Sequence, residues 1–226
     1  MAAPMASRQS PRGRVGLVAG WSYPAAVFEP LRRALADHAV SAFDWVSFAA
    51  GWLGEDVVRA DEPEPSVWVG WSLGGVLLLE ALRQGRIAPD RLVLVNATPR
   101  FLEAPGWPGV PEAEWRGLRR AAARHPMAAV AAFRRRFALP DVAGRDPALA
   151  DVSGLDWLAR LDLRAFLADV STPVECWLAQ DDPLVPADWP SHLALSPRVC
   201  CQRFTEPGHA PWFADPAALA ARLSAG

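Results

Sequence analysis

Lysine is absent from this 226-residue chain: all 23 basic side chains are arginine. With the wealth of alanine and proline, this reads as the mark of a GC-rich genome. The formal net charge is only −2, which argues against generic nucleic-acid binding, and no nucleic-acid motif is present. Cysteine is scarce. Cys176, Cys200 and Cys201 form neither a disulfide framework nor a metal-ligand spacing, and are expected to be buried free thiols; the last two, adjacent on a strand, should point to opposite faces. No uninterrupted apolar run approaches the ~18 residues of a membrane span. The opening "MAAPMASRQSPRG" lacks the apolar core of a secretory signal, so residues 1–13 read as a disordered tail and the protein as cytoplasmic. No internal repeat is visible.

What is present is a core-forming composition, 51% hydrophobic, in one domain's length. Short β-branched runs alternate with helix-like runs, the pattern of an α/β protein with a parallel sheet. Strands are expected at 14–19, 40–46, 65–70, 91–97, 173–179 and 198–204. Helices are expected at 23–37, 72–85 and 215–225, the last capped by Asp215. The acidic stretch 50–64 reads as a surface loop or short helix. Between the fourth and fifth strands lies a connection far longer than usual, with helical patterns at 111–125, 126–138 and 155–169. It reads as a helical lid over residues 99–169, inserted into a core made of 14–98 and 170–226.

The third strand runs into "GWSLGG". A strand turning sharply into a helix puts its corner residue in a strained backbone, and only small neighbours permit the close approach. Gly70 and Gly74 flanking Ser72 fit that need and lift the hydroxyl clear of the sheet. The serine needs a base. Of four histidines, His38 precedes it, His125 lies in the insertion and His192 follows a Trp-Pro turn. His209, in "EPGHAPWF" after the last strand, emerges at the same sheet edge as Ser72. An acid should come from the loop after the fifth strand, where "QDDPLVP" offers Asp181 and Asp182. Two backbone N–H groups should hold the oxyanion: that of Leu73, after the serine, and one from the loop "AGWSYP", where Trp21 is the candidate. Trp71 and Trp212 are candidates for shaping the pocket entrance.

At these residues the chain resembles the pimeloyl-[acyl-carrier-protein] methyl ester esterases of biotin synthesis, within the α/β-hydrolase superfamily. The resemblance runs from about residue 14 to the C-terminus through "GWSLGG", "TPRFLEAPGWPGV", "DLRAFLADVSTP", "DDPLVP" and "GHAPWF". The first and last mark the wider fold; Trp-Pro-Gly at 107–109 and "LDLR" at 161–164 are more particular. It implies an α/β-hydrolase fold with a mainly parallel sheet of about six strands, helices on both faces and a short helical lid. It implies Ser72 as nucleophile, Asp182 as acid and His209 as base, Trp21 and Leu73 as oxyanion and substrate-binding positions, and Phe133 as a lid contact to the acyl chain. Phe137, four residues on, shares its helical face. No metal or organic cofactor is implied. The chain departs from the family at Ala19-Gly20-Trp21-Ser22, where His-Gly-Trp-Gly is usual, and in "DWVSFAAGWLG", which lacks the usual Pro-Gly-x-Gly-x-Ser loop. Set beside the family it reads as short, and the two strands that normally precede the first one, with part of the lid, are expected to be absent.

Between Glu112 and Phe137 seven arginines stand against two acids. Arg116, Arg120, Arg124, Arg134 and Arg135 form a candidate docking face for an acidic partner, and the resemblance implies an acyl carrier protein. A solvated helix face is the plainer reading. The expectation is a monomeric serine carboxylesterase. A general short-chain esterase or thioesterase is the near alternative, and a non-catalytic carrier-binding module the distant one.

Overall fold

A computed structural model describes residues 13–54, 63–142, 146–204 and 208–225. The tail expected over 1–13 lies outside them except for Gly13, as does most of the acidic stretch 50–64. Six strands, β1 (Arg14–Val18), β2 (Ala39–Phe43), β3 (Val67–Trp71), β4 (Arg91–Val95), β5 (Val174–Ala179) and β6 (Val199–Phe204), form one parallel sheet in the order β2-β1-β3-β4-β5-β6. The central strands are apolar at consecutive positions because both sheet faces are covered. Side chains alternate between two cores. Trp68, Leu92, Leu94, Cys176 and Leu178 enter one; Val69, Val93, Val95 and Trp177 enter the other.

Helix α1 (Glu29–Ala34) lies on the second face, packed against the C-terminal helix. The expected helix over 23–37 is shorter because Pro30 has no N–H to donate backwards. The chain crosses Ala25–Phe28 as a 3-10 turn, and the α-helix starts only at Glu29. β2 likewise stops at Phe43, because the Asp44 side chain accepts from Ser47 N at 2.8 Å and caps α2 (Trp45–Phe48). Helix α3 (Leu73–Arg83) follows β3 on the first face, buried almost all round between the sheet and the inserted segment.

That segment holds α4 (Glu112–Arg124), α5 (Pro126–Arg136), α6 (Val152–Arg160) and α7 (Arg164–Asp169). Trp115 Nε1 donates to Leu155 O (2.9 Å) and Arg119 forks onto Asp156 (2.6 and 2.9 Å), tying α4 to α6. The single helix expected at 155–169 is broken into α6 and α7. Leu163 N donates across to Pro99 O (2.8 Å) and Asp162 pairs with Arg100 as an isolated bridge, so the backbone leaves the helical ladder there. Helix α8 (Pro216–Ala225) closes the chain, and Asp215 Oδ1 accepts from Ala218 N at 2.9 Å. The cysteine expectation is corrected. Cys176 is buried, but Cys200 and Cys201 are exposed, because β6 is an edge strand.

Candidate active site

Ser72 stands at the β3–α3 corner with φ 53° and ψ −122°, on the sterically costly side of backbone space. The corner is tight. A Cβ on Gly70 would meet Gly75 Cα at 2.5 Å, and one on Gly74 would meet Val18 O at 2.2 Å, so neither position admits a side chain. Ser72 N donates to Val95 O (3.1 Å), locking the corner to the end of β4. Because α3 opens at Leu73, that N–H has no intrahelical acceptor. Trp21 N also makes no hydrogen bond among the described residues. The two loops touch: a Cβ on Gly20 would sit 3.2 Å from Ser72 Cβ.

The candidate acid and base meet. His209 Nδ1–H donates to Asp182 Oδ2 at 2.7 Å, with both side chains essentially inaccessible. The other Asp182 oxygen, Oδ1, accepts from Leu184 N (2.8 Å) and Val185 N (3.1 Å). The Asp182 bond engages Nδ1 and leaves Nε2 as the free ring nitrogen. The Ser72 hydroxyl has no hydrogen-bond partner among the described residues; catalytic hydrogen bonds are commonly long in ligand-free enzymes.

Sequence reasoning missed the residues that carry the histidine loop. Asn96, fully buried just after β4 with φ 45°, donates from Nδ2 to the carbonyls of Gly208 and His209, 3.0 Å each. Its Oδ1 accepts from Ala179 N (2.8 Å), so one amide spans the acid-bearing and base-bearing loops. Asparagine tolerates this left-handed backbone better than most residues, which is the one local signal in "VNA". Asp181 also has a partner: its Oδ1 accepts from Gly208 N at 2.9 Å. Trp71 Nε1 donates to His209 O (2.7 Å). Trp71 and Trp212 are buried, packed edge to face at 4.8 Å. They support His209 from within the core and do not line an entrance.

Phe133 packs edge-on against Trp21 (5.5 Å) and against Phe137 (5.1 Å). Both phenylalanines line a cavity of 360 Å³ with Phe101, Trp115, Leu118 and Leu184. A neighbouring recess of 230 Å³ shares Phe137 and Leu184 and reaches Asp182. The combined groove is of small-molecule size and mainly apolar, with Glu114 and Arg136 on its rim. Of the arginines, Arg116, Arg120, Arg124 and Arg135 are exposed. Arg134 is not: at 9% exposure it turns inward from the expected docking face.

A strained serine at a strand–helix corner, a buried Asp–His pair at the same sheet edge and two unpaired N–H groups define an α/β-hydrolase. Residues 17–222 match the model of the alpha/beta hydrolase family, and the chain belongs to it. A pimeloyl-[acyl-carrier protein] methyl ester esterase of Methylococcus capsulatus is 34% identical over 185 residues, covering 72% of each chain. One from Xanthomonas oryzae pv. oryzae is 32% identical over 228 residues, covering 87% of each. Within the wider family the chain belongs with these pimeloyl-[acyl-carrier protein] methyl ester esterases. An esterase from Exiguobacterium antarcticum has the same fold, with TM-score 0.73 at 17% identity, covering 96% of this chain and 92% of its own.

Proposed function

We propose that this chain is a serine carboxylesterase that hydrolyses the methyl ester of pimeloyl-[acyl-carrier protein] in biotin synthesis. The observation that carries the chemistry is the buried 2.7 Å Asp182–His209 bond at the sheet edge where the strained Ser72 emerges. The relatives' names supply the substrate. In this reading His209 Nε2 takes the Ser72 proton as Oγ attacks the ester carbonyl, and the imidazolium is held by Asp182. The N–H groups of Trp21 and Leu73 receive the oxyanion, each worth roughly 3 kcal/mol. His209 then protonates the departing methanol. Water, deprotonated by the same imidazole, releases the free carboxylate and restores Ser72. The reading calls for no metal or organic cofactor.

The groove under α4 and α5 takes the acyl chain, each buried methylene adding about 0.8 kcal/mol, with Phe133 and Phe137 on its wall and residues 99–169 as the lid. Arg116, Arg120, Arg124 and Arg135 present positive charge to the acidic carrier. The protein acts as a monomer in the cytoplasm; among the described residues no helix is long and apolar enough to cross a membrane.

The test is growth of a biotin-requiring strain lacking its own methyl esterase. This gene restores growth without biotin, and the Ser72→Ala variant, expressed to the same level, does not. Failure of the unaltered gene with good expression removes the biotin role. Hydrolysis of p-nitrophenyl esters persisting in that case leaves a general short-chain esterase, whereas no labelling of Ser72 by a fluorophosphonate leaves a non-catalytic carrier-binding module.

A further inference from the structure

Arg134 sits on α5 beside Arg135, another of the candidate docking arginines, yet its guanidinium is buried against the loop that follows β1. Its Nη2 donates to the carbonyl oxygen of Ser22. Its Cζ lies 4.1 Å above the Tyr23 ring, and Nη1 stands 3.7 Å from Asp141 Oδ1 at the rim. The Tyr23 hydroxyl donates to Pro140 O at 2.7 Å, back into the inserted segment. Ser22 N donates to Leu149 O (2.9 Å) in the same segment, and Ser22 is held at φ 68°. Burying a guanidinium among these groups is costly unless its contacts offset the desolvation. The side chain nonetheless turns inward, with Nε left unpaired.

The geometry points to Arg134 as a positioning residue for the oxyanion hole; this rests on the esterase reading above. Two peptide planes connect the guanidinium to the hole. Arg134 grips the carbonyl end of the Ser22–Tyr23 peptide. The opposite end of that peptide, Tyr23 N–H, donates to Gly20 O at 3.3 Å. Gly20 C=O belongs to the Gly20–Trp21 peptide, whose other end is Trp21 N–H, the proposed oxyanion donor. A trans peptide is planar, so holding its carbonyl sets the direction of its N–H. Hydrogen bonds in series also polarise one another, and a cationic donor at the head strengthens each later member. The 3.3 Å turn bond is a long one that outside support would hold in place. Ser22 holds a left-handed φ of 68° with a side chain in place. A residue with a Cβ is strained at φ 68°, and the bonds to Arg134 and Leu149 keep it there. Helix α5 therefore bears on catalysis through these two peptides, and a substrate or partner that moved α5 would alter the hole.

The test compares wild type with Arg134→Met and Arg134→Lys on p-nitrophenyl butyrate, with thermal unfolding followed in parallel. The expected result for Arg134→Met is a fall in kcat of about 10- to 100-fold, the range set by loss of part of one oxyanion donor, with KM within about twofold. Affinity for a boronic acid transition-state mimic falls by the same factor as kcat/KM. Arg134→Lys, which keeps the charge but not the planar fork, recovers part of the loss. The role is overturned if Arg134→Met turns over like wild type, if KM alone rises, or if boronate affinity is unchanged while kcat drops. Should Arg134→Met fail to fold, Arg134→Lys decides: wild-type kcat and boronate affinity overturn the role, and a parallel loss in both supports it. A wild-type protein that neither hydrolyses the ester nor reacts with a fluorophosphonate removes the esterase reading and this role with it, an outcome distinct from an active wild type with an equally active Arg134→Met.

Discussion

Asn96 bonds only backbone groups, yet it holds the loop that carries His209. Its amide joins Ala179 N, at the end of the acid's strand, to the carbonyls of Gly208 and His209. Removing a buried amide leaves those partners unpaired, at roughly 1–3 kcal/mol for each group. We expect Asn96→Ala to lower unfolding stability by about 2–4 kcal/mol, measured by urea titration. Well below its melting temperature the variant should also lose kcat while KM for small esters stays put, since the base is misplaced and the groove untouched. Wild-type kcat in a folded Asn96→Ala protein would show that the Asp182–His209 bond alone holds the loop. The same scale separates the two adjacent acids: Asp182 bonds the imidazole, while Asp181 bonds the backbone one residue earlier. Alternation along the chain says that neighbours face apart. It does not say which of them faces the histidine, and that choice was legible only through the family resemblance.

Among elements, the junction of α6 and α7 shows how the inserted segment is fastened to the sheet. Asp162 accepts from Arg164 (2.7 and 2.8 Å) and from Arg100 (2.7 Å), beside the exit of β4. The Arg164 hydrogen bonds, foremost, with help from Arg100 and against some burial, bring the Asp162 carboxyl down to about 2. A carboxylate whose folded value is depressed adds stability above its unfolded value near 3.9 and loses it as pH falls through the folded value. Asp162→Asn should therefore be less stable than wild type at neutral pH, by about 1 kcal/mol once discounted for its partial exposure. The gap should narrow as pH falls from about 4 and close only below about pH 2. Chemical unfolding of both proteins across that range measures it; a gap as wide at pH 2 as at neutral pH would show that the ion pairs are not its source. The helix expected over 155–169 fails at this junction. Periodicity sees the apolar stripe running on, but not Pro99 O and Arg100 waiting across space for the backbone of 162–163.

Across the whole molecule, positive charge is concentrated on residues 112–137 of a chain that is slightly acidic overall. Several of these arginines are engaged at home: Arg116 with Glu112, Arg119 with Asp156, Arg136 with Glu114. Among the described residues Arg120, Arg124 and Arg135 have no acidic partner. Charge reversal at Arg120 and Arg124 should lower kcat/KM on the carrier-bound ester by about 10-fold or more at low salt, chiefly through association. It should leave hydrolysis of p-nitrophenyl esters alone. The wild-type advantage should shrink as salt rises, because screening at 0.15 M reaches about 8 Å. Equal rates for wild type and variant on the carrier-bound ester would return these arginines to a solvated face.

The alternation of β-branched and helical runs, the glycines around Ser72 and the position of His209 beyond the last strand were enough, by themselves, to determine a parallel α/β sheet with a candidate nucleophile at its edge. Each is a local matter of backbone sterics or side-chain period. The tertiary structure alone decided that Asp181 bonds the backbone just before His209, that Asn96 ties two loops together, and that Arg134 leaves the expected docking face to grip Ser22. Those outcomes depend on which polar groups are left unpaired when distant segments close on one another, and no local pattern encodes that.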